Sequence, residues 1–156
     1  MEHSIDFWEL LKQGKVTVTH LNTDYEFKSF NCGNTDLNDF LFADSKIYLK
    51  YLRYTTTLLE TENRIIAYYS LANDLLKISD RQDFQDQGIG TFLIKSLVQS
   101  FIRKNKTGCQ FITVDAINDN TQRTIKFYEN NGFKYLTMND VNRESRQMYK
   151  SLLEYI

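Results

Sequence analysis

The segment QDQGIGTFLIKSL, residues 85–97, places two glycines one residue apart directly before an apolar stretch with helical spacing. The chain has only six glycines and no proline, so the pair does not reflect a glycine-rich composition. Glycine permits backbone conformations that other residues avoid, and it lets a ligand approach the backbone closely. A helix N-terminus also attracts anions. The pair therefore predicts either a tight turn into a helix or a binding site for an anionic group.

Composition limits the class of protein. With 156 residues, 42% of them hydrophobic, the chain suits one compact domain with a core. The net charge of −1 argues against general binding along nucleic acid, although a local basic patch would not change that sum. Cys32 and Cys109 lack metal-ligand spacing, which predicts free thiols in a reducing compartment and no metal site. The polar N-terminus and the lack of a long apolar run predict a cytoplasmic protein without membrane contact.

Hydrophobic periodicity predicts a mixture of helices and strands. Helices are expected at residues 4–12, 34–52, 88–104 and 120–131. Strands are expected at residues 15–21, 25–30, 55–61, 64–72, 109–117, 133–138 and 146–155. Segment 25–30 is expected to pair with 15–21, and 55–61 to form a hairpin with 64–72. This order predicts an α+β fold in which a largely antiparallel sheet is flanked by helices.

The glycine pair does not match two common phosphate-binding motifs. No lysine follows Gly90 as G-x-x-x-x-G-K-S/T requires, and Leu93 stands where G-x-G-x-x-G needs its third glycine. The remaining pattern, Gln85-x-x-Gly88-x-Gly90, resembles the Q/R-x-x-G-x-G/A signature of the GNAT family of N-acetyltransferases. In that family, this loop and the helix N-terminus after it hold the pyrophosphate of acetyl-CoA. The short pattern alone leaves a purely structural turn as an open alternative.

Other segments extend the resemblance to most of residues 26–138. The stretch NTQRTIKFYENNGFKYL, residues 120–136, resembles the second GNAT signature, F/L-Y-x-x-x-G-F. The segments FNCGNTDLNDFL (30–41) and AYYSLA (67–72) resemble a branch that includes toxins acetylating aminoacyl-tRNA. The resemblance implies a single N-acetyltransferase domain over residues 1–156, with the three-layer GNAT fold and a glycine loop at a helix N-terminus.

The resemblance also implies roles for individual residues. Acetyl-CoA is the expected cosubstrate, attacked directly by a primary amine in a ternary complex. Tyr128 is expected to protonate the departing thiolate. Asp115 is either a carboxylate that relays the proton of the amine through water or a solvated acid. The residues expected to bind the cofactor are Gln87, Gly88, Ile89, Gly90, Thr91 and Asn120. For Asn120, capping of the following helix is the alternative role.

One segment departs from the family pattern. A hydrophobic strand directly precedes the glycine loop in the family, whereas residues 75–86, LLKISDRQDFQD, are polar and acidic. We therefore expect either that a segment is missing between about Ser79 and Gln87, or that this strand is absent or poorly formed. If a segment is missing, Gln85 and Asp86 need not belong to the loop. A regular strand at residues 75–80 would contradict this expectation.

Three functions stay open. The first is an acetyltransferase acting on a small-molecule or peptide amine. The second is a toxin acetylating aminoacyl-tRNA, favoured by the segments before residue 72 and disfavoured by the lack of net basicity. The third is a non-catalytic acyl-CoA-binding regulator, against which Tyr128 and the glycines argue. The stretch YLKYLRYTTT, residues 48–57, is either an RNA contact or a packed helix end. A homodimer is also left open.

Overall fold

A computed structural model of the protein describes residues 6–72, 75–103 and 110–155. The helices are α1 (Phe7–Lys12), α2 (Thr35–Asp39), α3 (Ser45–Lys50), α4 (Ile89–Arg103) and α5 (Arg123–Asn130), and a π-helical turn, Phe40–Asp44, joins α2 to α3. The strands are β1 (Thr17–His20), β2 (Thr55–Glu60), β3 (Ile65–Ala72), β4 (Leu75–Asp80), β5 (Phe111–Ile117), β6 (Lys134–Tyr135) and β7 (Ser145–Ser151). Short 3-10 helices occur at Gln82–Phe84 and Leu153–Tyr155.

The strands form a mixed, mostly antiparallel sheet, as the sequence predicts. Their order is β1-β2-β3-β4-β5-β7-β6. The pairs β1–β2, β2–β3, β5–β7 and β6–β7 are antiparallel, whereas β4 and β5 are parallel. Within the described ranges, no helix is long and apolar enough to cross a membrane.

The chain divides into two compact units. The first contains the described residues up to Ala72 together with Ile78–Leu93, and the second contains residues 75–77 and the described residues from Ile94 onward. The glycine loop and the first turn of α4 therefore belong to the first unit. Tyr128 on α5 belongs to the second.

In the first unit, one hydrophobic cluster fixes the glycine loop. Its buried members are Phe7, Leu59, Ile66, Ala67, Phe84, Ile89 and Leu93. This cluster joins α1 and the β2–β3 hairpin to both ends of the loop that contains Gly88. Burial of each large apolar side chain stabilises the fold by about 1.5–3 kcal/mol. A second cluster packs α2 and the π-helical turn on the opposite side of the hairpin, since Leu58 belongs to it and its neighbour Leu59 does not.

In the second unit, the C-terminus of α5 has the left-handed cap that the Asn131-Gly132 pair predicts. Gly132 has φ +82°. Its N–H donates to the carbonyl of Glu129 at 2.9 Å, and the N–H of Phe133 donates to that of Tyr128 at 3.0 Å. These two hydrogen bonds define a Schellman motif. The motif ends α5 one turn after Tyr128 and holds that residue near the end of the helix.

The prediction of an absent or poorly formed strand before the glycine loop is wrong. Residues 75–80 form β4, which lies between β3 and β5 in the sheet. Leu76 and Ser79 are buried, while Lys77 and Asp80 keep partial exposure. The strand tolerates its polar residues because it is not completely covered. Gln85 and Asp86 consequently belong to the loop that leads into α4.

Two smaller predictions also need correction. Residues 25–30 do not pair with β1 as a strand, and Ser29 instead forms an isolated bridge with Arg64. The strand expected at residues 133–138 is only the two-residue β6. The predicted start of the first helix at residue 4, the end of the third at residue 104, and Cys109 lie outside the described residues.

Candidate active site

Gly88 begins α4. Its carbonyl accepts the first helical hydrogen bond, from the N–H of Phe92 at 3.0 Å. Gly88 has φ +79°, and no described atom lies within 4 Å of the position that a β-carbon would occupy. Glycine therefore serves the turn and also leaves the backbone open to an approaching ligand. The N–H groups of the first helical turn have no partners within the helix and point away from its N-terminus. The helix dipole is positive at that end.

The other predicted loop residues differ in what they can offer a ligand. Ile89 is completely buried in the core of the first unit, so only its backbone can contribute. Gly90 and Thr91 are half-buried in the first turn of α4. The structure thus brings Gly88, Ile89, Gly90 and Thr91 together at one helix end, as the sequence predicts.

Gln85 connects the loop to a neighbouring segment. Its side-chain Nε2 donates to the carbonyl oxygen of Cys32 at 2.8 Å. Nearby, the N–H of Gln82 donates to the carbonyl of Asn31 at 2.7 Å. The first residue of the Q-x-x-G-x-G pattern therefore fixes the loop against residues 31–32 through its amide.

Gln87 is fixed by α1. Its side-chain Oε1 accepts a hydrogen bond from the backbone N–H of Phe7 at 2.7 Å. Its backbone carbonyl accepts one from the indole Nε1 of Trp8 at 2.9 Å. Sequence reasoning expected Gln87 to contact the cofactor and did not single out Trp8. No local pattern links two residues that are 79 positions apart.

Tyr128 lies on the buried face of α5. Its ring makes edge-to-face contacts with Phe127, at a centroid distance of 5.1 Å, and with Phe133, at 5.2 Å. Burial raises the pKa of the Tyr128 hydroxyl above its usual value. The phenol consequently stays protonated at neutral pH and can act as a donor.

The N-cap residue of α5, Gln122, makes no side-chain capping hydrogen bond, and Asp119 instead stabilises the turn before the helix. The carboxylate Oδ1 of Asp119 accepts from the backbone N–H groups of Thr121 and Gln122 at 3.0 and 3.1 Å. The Asn118 side chain instead donates to the carbonyls of Val141 and Arg143. Asn120 is exposed in this turn and is not the N-cap residue, so the capping role is wrong for it, and its contact with the cofactor stays a prediction.

Asp115 is exposed on β5, opposite Gln147 of β7. It lies within the strand, not at its end, and its side chain is on the face opposite to the buried residues Val114 and Ala116. Among the described residues, no group of three His, Cys, Asp or Glu side chains is placed to hold a metal ion.

Comparison with known proteins identifies the class. Residues 53–135, more than half of the chain, match the model of an acetyltransferase (GNAT) domain. The chain therefore belongs to the GNAT family of acetyltransferases, and the family predicted from its motifs is confirmed. No match was found among the curated proteins.

Among solved structures, the fold is similar to that of bacterial toxins. The AtaTR complex bound with AcCoA is 19% identical, with a TM-score of 0.74, and the match covers 90% of this chain and 96% of that one. AtaT complexed with acetyl-methionyl-tRNAfMet is 16% identical, with a TM-score of 0.70 and coverages of 90% and 96%. The KacTA–DNA complex is 20% identical, with a TM-score of 0.70 and coverages of 89% and 94%. These likenesses confirm the predicted GNAT fold.

Proposed function

We propose that the protein is an acetyl-CoA-dependent N-acetyltransferase acting on a primary amine. The observation that carries this proposal is the Gly88 turn at the start of α4, in a chain that belongs to the GNAT family. The outward N–H groups and the positive end of the helix dipole suit a pyrophosphate. The open space beside the position of a β-carbon at Gly88 lets a ligand approach the backbone there. The similar AtaTR complex, which was solved with AcCoA, supports the same ligand.

The reaction is a direct transfer. The neutral amine attacks the thioester carbonyl carbon, a C–N bond forms, the C–S bond breaks, and CoA leaves as a thiolate that takes up a proton. The amine loses its own proton to water. We assign to Tyr128 the donor role toward the leaving sulfur. Because a phenol is a weaker acid than a thiol, its main contribution is a hydrogen bond to the charge that develops on sulfur.

The basic test measures binding and turnover separately. The purified chain should bind CoA in calorimetry and release free thiol from acetyl-CoA only when an acceptor amine is present. A panel of small amines, peptides and aminoacyl-tRNAs would identify the acceptor. Binding without turnover on any acceptor would favour the non-catalytic regulator, and absence of binding would contradict the proposal.

A second candidate is that the acceptor amine belongs to an aminoacyl-tRNA. Besides the likeness to AtaT, the surface of the α3 tip, which we define as residues 50–53, favours this acceptor. All four residues of the α3 tip are exposed, and Leu52 is 92% exposed. Lys50 and Arg53 have no ion-pair partner within the described parts of the chain. Two cations beside the exposed ring of Tyr51 suit an RNA phosphate and a stacked base.

The backbone of the α3 tip also favours a contact surface. Leu52 has φ +57°, and its N–H donates to the carbonyl of Leu49. Leu52 thus occupies the left-handed position after a helix, where glycine is usual. A leucine there is strained and also exposes its apolar side chain, which is unfavourable for folding and is typical of a binding residue.

We expect the double variant Lys50→Gln with Arg53→Gln to weaken tRNA binding uniformly across tRNA species. The slope of log affinity against log salt should fall by about 1 to 2, since each phosphate contact contributes about one unit. The matched control is Lys12→Gln with Lys134→Gln, which removes the same charge at two exposed lysines paired with Glu9 and Glu154. If both double variants weaken tRNA binding equally, the loss is a general effect of net charge. The α3 tip is then excluded as the RNA contact.

A further inference from the structure

We infer that Trp8 is a positioning residue for the pyrophosphate loop, acting through the peptide that joins Gln87 to Gly88. This inference rests on the proposed function, because it concerns how the loop is made ready for acetyl-CoA. It assigns to the short N-terminal helix α1 a role in cofactor affinity that is separate from the chemical step.

The geometry of one peptide unit carries the argument. The indole Nε1 of Trp8 donates to the carbonyl of Gln87 at 2.9 Å. That carbonyl shares a planar peptide with the N–H of Gly88, and in a trans peptide the two groups point in opposite directions. By holding the carbonyl on one side, Trp8 aims the Gly88 N–H toward the other. That N–H lies directly before the first turn of α4.

The loop needs such a restraint because its backbone is strained. Asp86 has φ +64° and Gly88 has φ +79°, so Gln87 lies between two residues in the left-handed region. This region is unfavourable for a non-glycine residue such as Asp86. The second bond from α1, between the Phe7 N–H and Gln87 Oε1, restrains the same residue at 2.7 Å.

The helix α1, which supplies both hydrogen bonds to Gln87, packs against the hydrophobic core of the first unit. A six-residue helix has little stability alone, but the Phe7 side chain is completely buried in the cluster that also contains Ile89. The Trp8 ring makes edge-to-face contacts with Phe7 and Phe92, at centroid distances of 5.0 and 5.9 Å. The indole itself is 41% exposed, so burial alone does not account for a tryptophan here.

The test is Trp8→Phe, which keeps a ring against Phe7 and Phe92 but removes the N–H donor. A loop that is less often in its binding conformation has a proportionally weaker apparent affinity. We expect the KM for acetyl-CoA and the Kd for CoA to rise about fivefold, the value of one typical hydrogen bond. The KM for S-acetylpantetheine, which has no pyrophosphate, and kcat at saturation should stay unchanged.

If Trp8 only stabilised the fold, Trp8→Phe would raise the KM values for both acetyl-CoA and S-acetylpantetheine, or neither of them. Either result overturns the inference. Phe92→Leu is the control for packing, since it changes a ring contact of Trp8 and leaves the indole hydrogen bond in place. If Trp8→Phe does not fold, Trp8→Leu also removes the indole donor and should raise the KM for acetyl-CoA without raising that for S-acetylpantetheine. A wild-type protein that binds no CoA would refute the proposed function instead.

Trp8 is the only tryptophan in the chain, so its fluorescence emission should change when CoA binds.

Discussion

Replacing Tyr128 with phenylalanine is expected to lower kcat for acetyl transfer by about 10²-fold or more and to leave acetyl-CoA affinity nearly unchanged. The hydroxyl is proposed to interact with negative charge on sulfur, and that charge exists only as the C–S bond breaks. Its loss therefore raises the transition-state energy without affecting the bound ground state. Thiol release at saturating acetyl-CoA gives kcat, and calorimetry with CoA gives the affinity.

The substitution is conservative for the fold. The ring of residue 128 packs against Phe127 and Phe133, and phenylalanine keeps both contacts. Because burial raises the pKa of the Tyr128 phenol above its usual value of about 10, the donor stays protonated through the range in which activity is measured. The wild-type rate should not decline from ionisation of Tyr128 below about pH 10.

The matched control is Tyr149→Phe, the same change at a tyrosine of the second unit whose ring packs against Phe111 at 5.8 Å. It should leave kcat within a factor of about two. The Tyr149 side chain is half-buried, and loss of its hydroxyl should have little effect on the stability of the fold. Full kcat in Tyr128→Phe would make Tyr128 a packing residue, and another group would then have to stabilise the charge on the leaving sulfur.

The parts of the fold that follow local rules were predictable from the sequence. The hairpin of β2 and β3, the left-handed cap at Gly132 and the turn at Gly88 each depend on a few neighbouring residues. β4 was not predictable in this way. Its polar residues argue against a strand buried on both faces, but only Leu76 and Ser79 of the strand are buried. The prediction for residues 75–80 was wrong because it assumed that a strand at this place is buried on both faces.

Residues 25–30 show the reverse error. Their alternation suggests a strand, yet apart from the backbone bridge at Ser29 they attach to the sheet through side chains. Glu60 is a buried acid at the end of β2. The hydroxyl of Tyr25 donates to Glu60, and Lys28 Nζ lies 3.3 Å from the same carboxylate. A buried carboxylate requires such partners, and periodicity carries no information about this need.

In the candidate site, motifs in the sequence predict the functional residues but not the contacts that hold them in place. The glycines and Tyr128 belong to motifs with fixed spacing. The partners of Gln87 come from α1, far away in sequence, and follow from the packing of Phe7 in the core. Before α5, three neighbouring residues, Asn118 to Asn120, could all cap the helix. None of them does: the N-cap residue is Gln122, Asp119 accepts from N–H groups of the turn before the helix, and Asn118 donates to the carbonyls of Val141 and Arg143.

The second large effect is expected at Gly88. Gly88→Val should weaken acetyl-CoA binding more than tenfold, which corresponds to about 1.4 kcal/mol. Beyond its chain neighbours, no described atom lies within 4 Å of the position that a β-carbon would occupy, so the β-carbon itself causes no clash in the free protein. The cause is the backbone, because a β-branched residue strongly disfavours φ +79°. The turn must change conformation, and the N–H groups at the start of α4 then lose their orientation.

Gly14 offers a control with the same strain. It follows α1 with φ +67°, and there too no described atom lies within 4 Å of a built β-carbon. Gly14→Val and Gly88→Val should lower the melting temperature by similar amounts, because each forces valine out of the left-handed region. Only Gly88→Val should weaken binding in calorimetry with acetyl-CoA. If affinity is unchanged in Gly88→Val, the turn is structural and the pyrophosphate binds elsewhere. If both variants lose affinity equally, the cause is general destabilisation or displacement of α1, and not the N–H groups next to Gly88.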